Sequence, residues 1–323
     1  MTKKIKRLAP FQYGVEIELY LPETNYDEFS EKMQDLGMEV KDDGSINPPY
    51  RDGIYYSTAE ITTPPLHYKE MVELLTKVGE VCSKYKAKVN ESCGLHVHTS
   101  NPGFFKRSNL RRIVGTWVSL EDVLFATQPK ARLTNTYCKR KLREYATTDF
   151  PKLPEEKKAL AYSLGNYDRY YALNLASMNA HGTIECRLHA GTIQATKIIN
   201  WIKLLRSIYV YAMTKYEGRE MHKLFNQPIS EKKIKATWDI LGIEAETRAH
   251  FNRRISKLLF PELAKQQKIA KNVMKLRGKS SKMFREFQKK DEEARALRVS
   301  YDQVRIQQDE MLRDFGQGQQ SRY

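Results

Sequence analysis

The chain contains no run of about 18 apolar residues, so the sequence offers no membrane-spanning helix. Its four cysteines, Cys82, Cys93, Cys138 and Cys186, include no CxxC pair. Nothing in their spacing points to a zinc ribbon or a disulfide framework, and reduced, partly buried thiols are expected. There is no Walker A loop, no Rossmann glycine fingerprint, no HExxH and no serine nucleophile elbow. No internal repeat is evident. The basic start, Met1-Thr2-Lys3-Lys4-Ile5-Lys6-Arg7, is followed by no apolar signal core, so a cytoplasmic setting is the expectation.

Positive charge is abundant. The net charge is +16 over 323 residues, and the mean hydropathy is −0.64. The excess is uneven: residues 104–145 hold ten Lys/Arg against three Asp/Glu, and residues 261–323 hold fifteen against nine. Such a surface suits nucleic acid or an anionic substrate, and it also serves solubility.

Strict polar–apolar alternation marks several strands. In residues 183–192, TIECRLHAGT, it sets Ile184, Cys186 and Leu188 on one face and Glu185, Arg187 and His189 on the other. In residues 11–21, Val15, Ile17 and Leu19 oppose Glu16 and Glu18. Two carboxylates two apart on a strand either hold divalent cations or form a solvated acidic face. Residues 54–62 form a strand carrying Glu60, stopped by Thr63-Pro64-Pro65. In residues 93–99, His96 and His98 share a face opposite Leu95 and Val97, and Gly94 permits close approach beside them. Paired imidazoles of this kind suit a metal or a phosphate, although a lone strand histidine is more often structural. Residues 170–177 read as a strand that forms a hairpin with 183–190 and brings Asn174 to the Glu185/Arg187 row. Asp42-Asp43-Gly44-Ser45 reads as turn chemistry.

Helical spacing predicts helices over 25–36, 67–84, 108–126 with Ser108 as N-cap, about 154–163, 194–217, 230–241 and 244–259. The stretch 127–165 is basic and irregular. Arg132, Lys139, Arg140, Lys141 and Arg143 are its candidate anion contacts, beside the blander reading of a solvated loop. Residues 262–314 read as a charged protruding or docking helix, and the Gly/Gln-rich tail as disordered.

Polar chemistry on one face of four separate strands, with apolar residues on the other, implies an α+β fold. The expected architecture is a curved, mainly antiparallel sheet with helices on its convex face. Several glutamates plus histidine in an open cradle suit hard divalent cations such as Mg²⁺ or Mn²⁺, which commonly carry nucleotide phosphates. Arg187, a permanent charge with a planar donor fork, suits a transferring phosphoryl group.

Taken together, GVEIE (14–18), AEITTPP (59–65), CGLHVH (93–98), YALNL (171–175) and TIECRLHAGT (183–192) resemble, in order, the motif set of the amidoligase family, in the carboxylate–amine ligase superfamily with glutamine synthetase. The resemblance spans roughly residues 10–215. It implies a glutamine-synthetase-like catalytic fold, ATP and Mg²⁺ as cofactors, and a carboxylate activated as an acyl phosphate and attacked by an amine. It makes Glu16, Glu18, Glu60, His96 and Glu185 metal ligands, with His96, His98, Asn174 and Arg187 at the nucleotide. Arg187, Glu185 and His98 would be catalytic, and His189 is a further candidate. Cys186 stands where an aromatic residue is expected, but on the core face. The domain division that follows is a catalytic unit over 10–220 and a helical, basic region over 221–323. The substrates would be a carboxylate and an amine, peptides or proteins included; the sequence leaves oligomerisation open.

Two other readings stay open. The HxH pair and separate glutamates also suit a metal-dependent hydrolase with an activated water. The basic C-terminal helix also suits a nucleic-acid-binding or assembly protein.

Overall fold

In the computed structural model, residues 8–50, 53–140 and 153–259 are described. Lys141, Arg143, the expected 262–314 helix and the Gly/Gln tail lie outside them. Among the described residues, seven strands form one antiparallel sheet: β1 (Gln12–Pro22), β2 (Glu39–Lys41), β3 (Tyr56–Thr62), β4 (Leu66–His67), β5 (Gly94–Ser100), β6 (Leu173–Asn174) and β7 (Ile184–Ala190). Their order is β2-β3-β1-β5-β7-β6, and β4 pairs with the start of β1. Among the described residues the α-helices are α1 (Tyr26–Asp35), α2 (Tyr68–Lys84), α3 (Arg107–Ala126), α4 (Lys130–Leu133), α5 (Lys157–Gly165), α6 (Ser177–Ala180), α7 (Ala195–Thr214), α8 (Gly218–Phe225), α9 (Glu231–Leu241) and α10 (Ala245–Leu259). The expected α+β class and antiparallel sheet are present. Among the described residues, no helix is long and apolar enough to cross a membrane.

The alternation in β1 does what a half-buried strand requires. Val15, Ile17 and Leu19 are fully buried and join Ile61, Leu95, Val97, Ile184, Cys186 and Leu188 in one core. That core is completed by Met71, Leu75 and Val78 of α2, Trp117 and Leu120 of α3, and Trp201, Ile202 and Leu205 of α7. Burying a side chain of this size contributes roughly 1.5–3 kcal/mol, so the apolar face fixes which face remains for chemistry. Trp238 of α9 and Phe251 of α10 sit in the same core. The four cysteines are free and buried.

Four local expectations change. Helix α3 begins with Lys106 at the cap position and no side-chain cap, so Ser108 lies in the first turn instead of capping it. Helix α8 was not legible as a separate element. The strand expected over 170–177 is only two residues long. Asn174 explains this: its Oδ1 accepts the Ala176 N–H at 2.9 Å, a local turn that competes with the sheet ladder. Helix α6 then fills the connection to β7, so no tight hairpin forms, and Gly182 at φ 68° turns the chain back.

The fourth change is a β-bulge. Val97 pairs with Cys186, but Leu95 pairs with His189, so β7 gains one residue opposite His96. Beyond the bulge the facing inverts. His189 leaves the polar row and is buried against Trp201, ring centroids 5.1 Å apart. It is therefore a core residue, and burial holds its imidazole well below the usual range. Arg132 pins the bulge. Nearly fully buried, it donates from Nε to the Leu188 carbonyl at 3.2 Å and from Nη2 to the Arg187 carbonyl. Lys139 pairs with Asp168 at 3.0 Å, and Arg140 with Asp122 at 3.1 Å. These three basic residues thus have partners within the chain.

Candidate functional site

Strand register assembles the polar face. Across β1–β3, Glu18 stands opposite Glu60; across β1–β5, Glu16 stands opposite His96. Across β5–β7, His98 faces Glu185, and across β6–β7, Asn174 faces Glu185. Eight residues expected at the site, Glu16, Glu18, Glu60, His96, His98, Asn174, Glu185 and Arg187, therefore meet on neighbouring strands. They come from segments as far as 171 positions apart in sequence.

Three of the four glutamates, Glu16, Glu18 and Glu185, are held by polar partners. His96 Nδ1 lies 3.0 Å from Glu16 Oε2, and its Nε2 lies 3.4 Å from Glu18 Oε1. The Gly94 N–H donates to Glu18 Oε2 at 2.5 Å. A Cβ at Gly94 would come within 2.9 Å of His96 Nε2, so the close approach expected of this glycine is real. Glu185 accepts from Asn174 Nδ2 and from Arg187 Nη1, each at 2.6 Å. Arg187 Nε also donates to the Tyr137 carbonyl at 3.2 Å. His98 Nε2 approaches Glu16 Oε1 at 3.1 Å and Glu185 Oε2 at 3.9 Å, yet no acceptor is aligned with it for a hydrogen bond.

The electrostatics are those of a crowded anionic cradle. For Glu16, burial raises the carboxyl pKa, but contacts with His96 and His98 overcome it and hold the group well below the usual range. Glu60 has no such partner. Burial, then the charges of Glu16 and Glu18, push its carboxyl up to about 7. Burial lowers His98, but Glu16 and Glu185 outweigh it and raise the imidazole above its usual value. Without a cation, the cluster thus takes up protons to offset its charge.

Among the described residues, three ligand sets have donor atoms within 4.8 Å of one another: Glu16, Glu60 and His96; Glu16, His98 and Glu185; and Glu18, Asp43 and Glu60. Oxygen-rich sets, two with one imidazole and one of carboxylates alone, suit Mg²⁺ or Mn²⁺. The unaligned His98 Nε2, buried between two carboxylates, is the atom a cation would satisfy.

A cleft of about 450 Å³ opens over Glu16, His98, Asn174, Glu185 and Arg187. Tyr167, Arg169, Ser177 and His181 also line it. The sequence reading missed Asp43, Ser177, His181, Arg169 and Tyr167. Asp43 was assigned to turn chemistry, and it does accept the Ser45 N–H at 2.8 Å while also reaching the cluster. Tyr167, Arg169 and His181 sit on irregular backbone, and Ser177 opens the four-residue α6, too short for a period to mark a facing.

Among solved structures, the chain is similar to a bifunctional glutathione synthetase from Pasteurella multocida, with a TM-score of 0.38 and 8% identity. The likeness covers 82% of this chain and 49% of that one, so the chain spans about half the length of that protein. No curated protein matches it. The sequence model of the family described as "Putative amidoligase enzyme" matches residues 18–209. That span is well over half the chain and contains four of the five motifs whole, with Glu18 from the fifth: the chain belongs to the amidoligase family.

Proposed function

We propose that the chain is an ATP- and Mg²⁺-dependent ligase that joins a carboxylate to an amine through an acyl phosphate. One observation carries the reading: Glu185 belongs to a metal-type ligand set and also grips Arg187 at 2.6 Å, and both residues line the same cleft. A cation cradle and a fixed guanidinium on one wall suit a polyphosphate whose terminal group moves.

The chemistry begins with a poor acyl donor. A substrate carboxylate oxygen attacks the γ-phosphorus of ATP, forming the acyl phosphate and ADP. The amine then attacks the acyl carbon, phosphate leaves, and the amine loses a proton. Glu16, Glu18, Glu60, His96 and Glu185 would hold Mg²⁺, which neutralises phosphate charge and aligns the phosphoryl group when bound. Arg187 meets the charge that develops on that group, with its orientation set by Glu185 and the Tyr137 carbonyl. Asn174 fixes the other Glu185 oxygen. His98, between Glu16 and Glu185, contacts the metal or the phosphates. In this reading residues 10–220 are the catalytic unit, and the described part of 221–323, residues 221–259, packs onto it through Trp238 and Phe251.

The test is ADP release from Mg-ATP by the full chain, across a panel of amino acid, peptide and amine substrates. Glu185→Gln and Arg187→Ala should each abolish substrate-dependent ADP release while the melting temperature stays within a few degrees. Undiminished turnover in both variants would sink the reading. Metal-dependent hydrolysis indifferent to ATP would favour the hydrolase that the HxH pair also permits.

A further inference from the structure

The two cluster histidines are held differently. Both nitrogens of His96 point at cluster carboxylates, Glu16 and Glu18. His98 has only Nε2 in the cluster. Its Nδ1 lies 2.8 Å from Thr183 Oγ1 and 3.2 Å from Ser177 Oγ, and the two hydroxyls are 2.7 Å apart. This closed triangle joins β5, the first residue of α6 and the entry to β7. Ser177 is 3% exposed, so its hydroxyl is not simply solvated.

Ligation through Nε2 requires the ring proton on Nδ1, where Thr183 Oγ1 is placed to accept it. Nδ1 has an acceptor at hydrogen-bond distance in Thr183 Oγ1, whereas Nε2 has none aligned. With the proton on Nδ1, the ring donates to Thr183 Oγ1, which leaves the Thr183 hydroxyl free to donate to Ser177 Oγ. A neutral ring in this tautomer turns the Nε2 lone pair toward Glu16 and Glu185. A lone pair facing carboxylates is repulsive unless a cation lies among them.

We propose that Ser177 and Thr183 are positioning residues that fix the ring orientation and tautomer of His98, so that Nε2 supplies a nitrogen ligand to a divalent cation shared with Glu16 and Glu185. The inference rests on the metal reading of the site. It has a selectivity consequence: a nitrogen ligand favours Mn²⁺ over Mg²⁺, so the hydroxyl pair sets that preference. Removing hydrogen-bond partners of a ligating histidine costs about 10–100-fold in metal affinity.

The experiment titrates Mn²⁺ into the full-length protein without nucleotide. It follows free Mn²⁺ by EPR and reads the nitrogen hyperfine coupling of bound Mn²⁺ by electron spin echo envelope modulation. His98→Ala gives the signal expected when this imidazole is lost. Ser177→Ala/Thr183→Val should match it, with Mn²⁺ binding about 10–100-fold weaker and Mg²⁺ binding less affected. Thr183→Ser, which keeps the hydroxyl, should retain wild-type coupling and affinity. Wild-type coupling in the double variant, with loss in His98→Ala, overturns the positioning role but leaves the metal site standing. Absence of Mn²⁺ binding by the wild type at millimolar concentration overturns the metal site and this inference together.

Discussion

Glu60→Gln should change the sign of its effect on stability when metal is added. Glu60 stands opposite Glu18, and burial together with Glu16 and Glu18 lifts its carboxyl from 4.5 to about 7. Below pH 4.5 both the folded and unfolded chains hold the proton, and Glu60 costs nothing. Between 4.5 and 7 only the folded chain holds it, so stability falls as pH rises; above 7 the penalty is complete. At about 1.4 kcal/mol per pH unit the interval caps the penalty near 3 kcal/mol, and solvent screening of this half-buried group reduces it to about 1–2 kcal/mol. In EDTA at pH 8, Glu60→Gln should therefore raise the melting temperature by about 2–6 °C, and at pH 4.5 by almost nothing. In Mg²⁺ or Mn²⁺ the wild type gains from ligation, and the variant, lacking one ligand oxygen, should gain less. Thermal melts over pH 4.5–8.5, with and without metal, decide it. A variant that is less stable than wild type in EDTA at pH 8, or that keeps the full metal-induced increment, would refute the reasoning.

Metal binding should release protons, because ligation displaces those on Glu60 and His98, both raised. Calorimetry in buffers of different ionisation enthalpy should find on the order of one proton released at pH 6.5 and markedly less at pH 8.5; equal release at both would count against the assignment. Gly94→Ala would force its Cβ to within 2.9 Å of His96 Nε2 and 3.3 Å of the Glu18 oxygens. Mn²⁺ affinity should drop about tenfold with a loss of about 1–2 kcal/mol of stability, and wild-type affinity would show that the site tolerates the shift. Arg132→Met leaves the Arg187 and Leu188 carbonyls without their donor. Urea denaturation should show a loss of about 2–4 kcal/mol, and a loss below about 1 kcal/mol would mean that the bulge does not need Arg132.

Much of the site was legible because alternation is a local property. Glu16, Glu18, Glu60, His96, His98, Glu185 and Arg187 each sit in a strand whose apolar partners had to face the core, so their own facing followed. His189 was misplaced by the same rule. Alternation counts residues along one strand, whereas facing is set by the hydrogen bonds of the partner strand. One extra residue opposite His96 inverts everything after it. Asp43 was obscured because its turn role is also true. Ser177 and Thr183 carried no signal, since a hydroxyl in a four-residue helix, or in the bend before a strand, belongs to no period.

The sequence by itself determined β1, β3, β5 and β7, their chemical faces as far as Arg187 and the order of the motifs, because each is encoded within about ten residues by side-chain period and turn chemistry. The tertiary structure decided which faces touch. It placed β1 between β3 and β5, drew Asp43 into the cluster, buried His189 against Trp201, and set two hydroxyls behind His98. Those choices depend on register and packing between distant segments, and free energy summed over the whole core selects them.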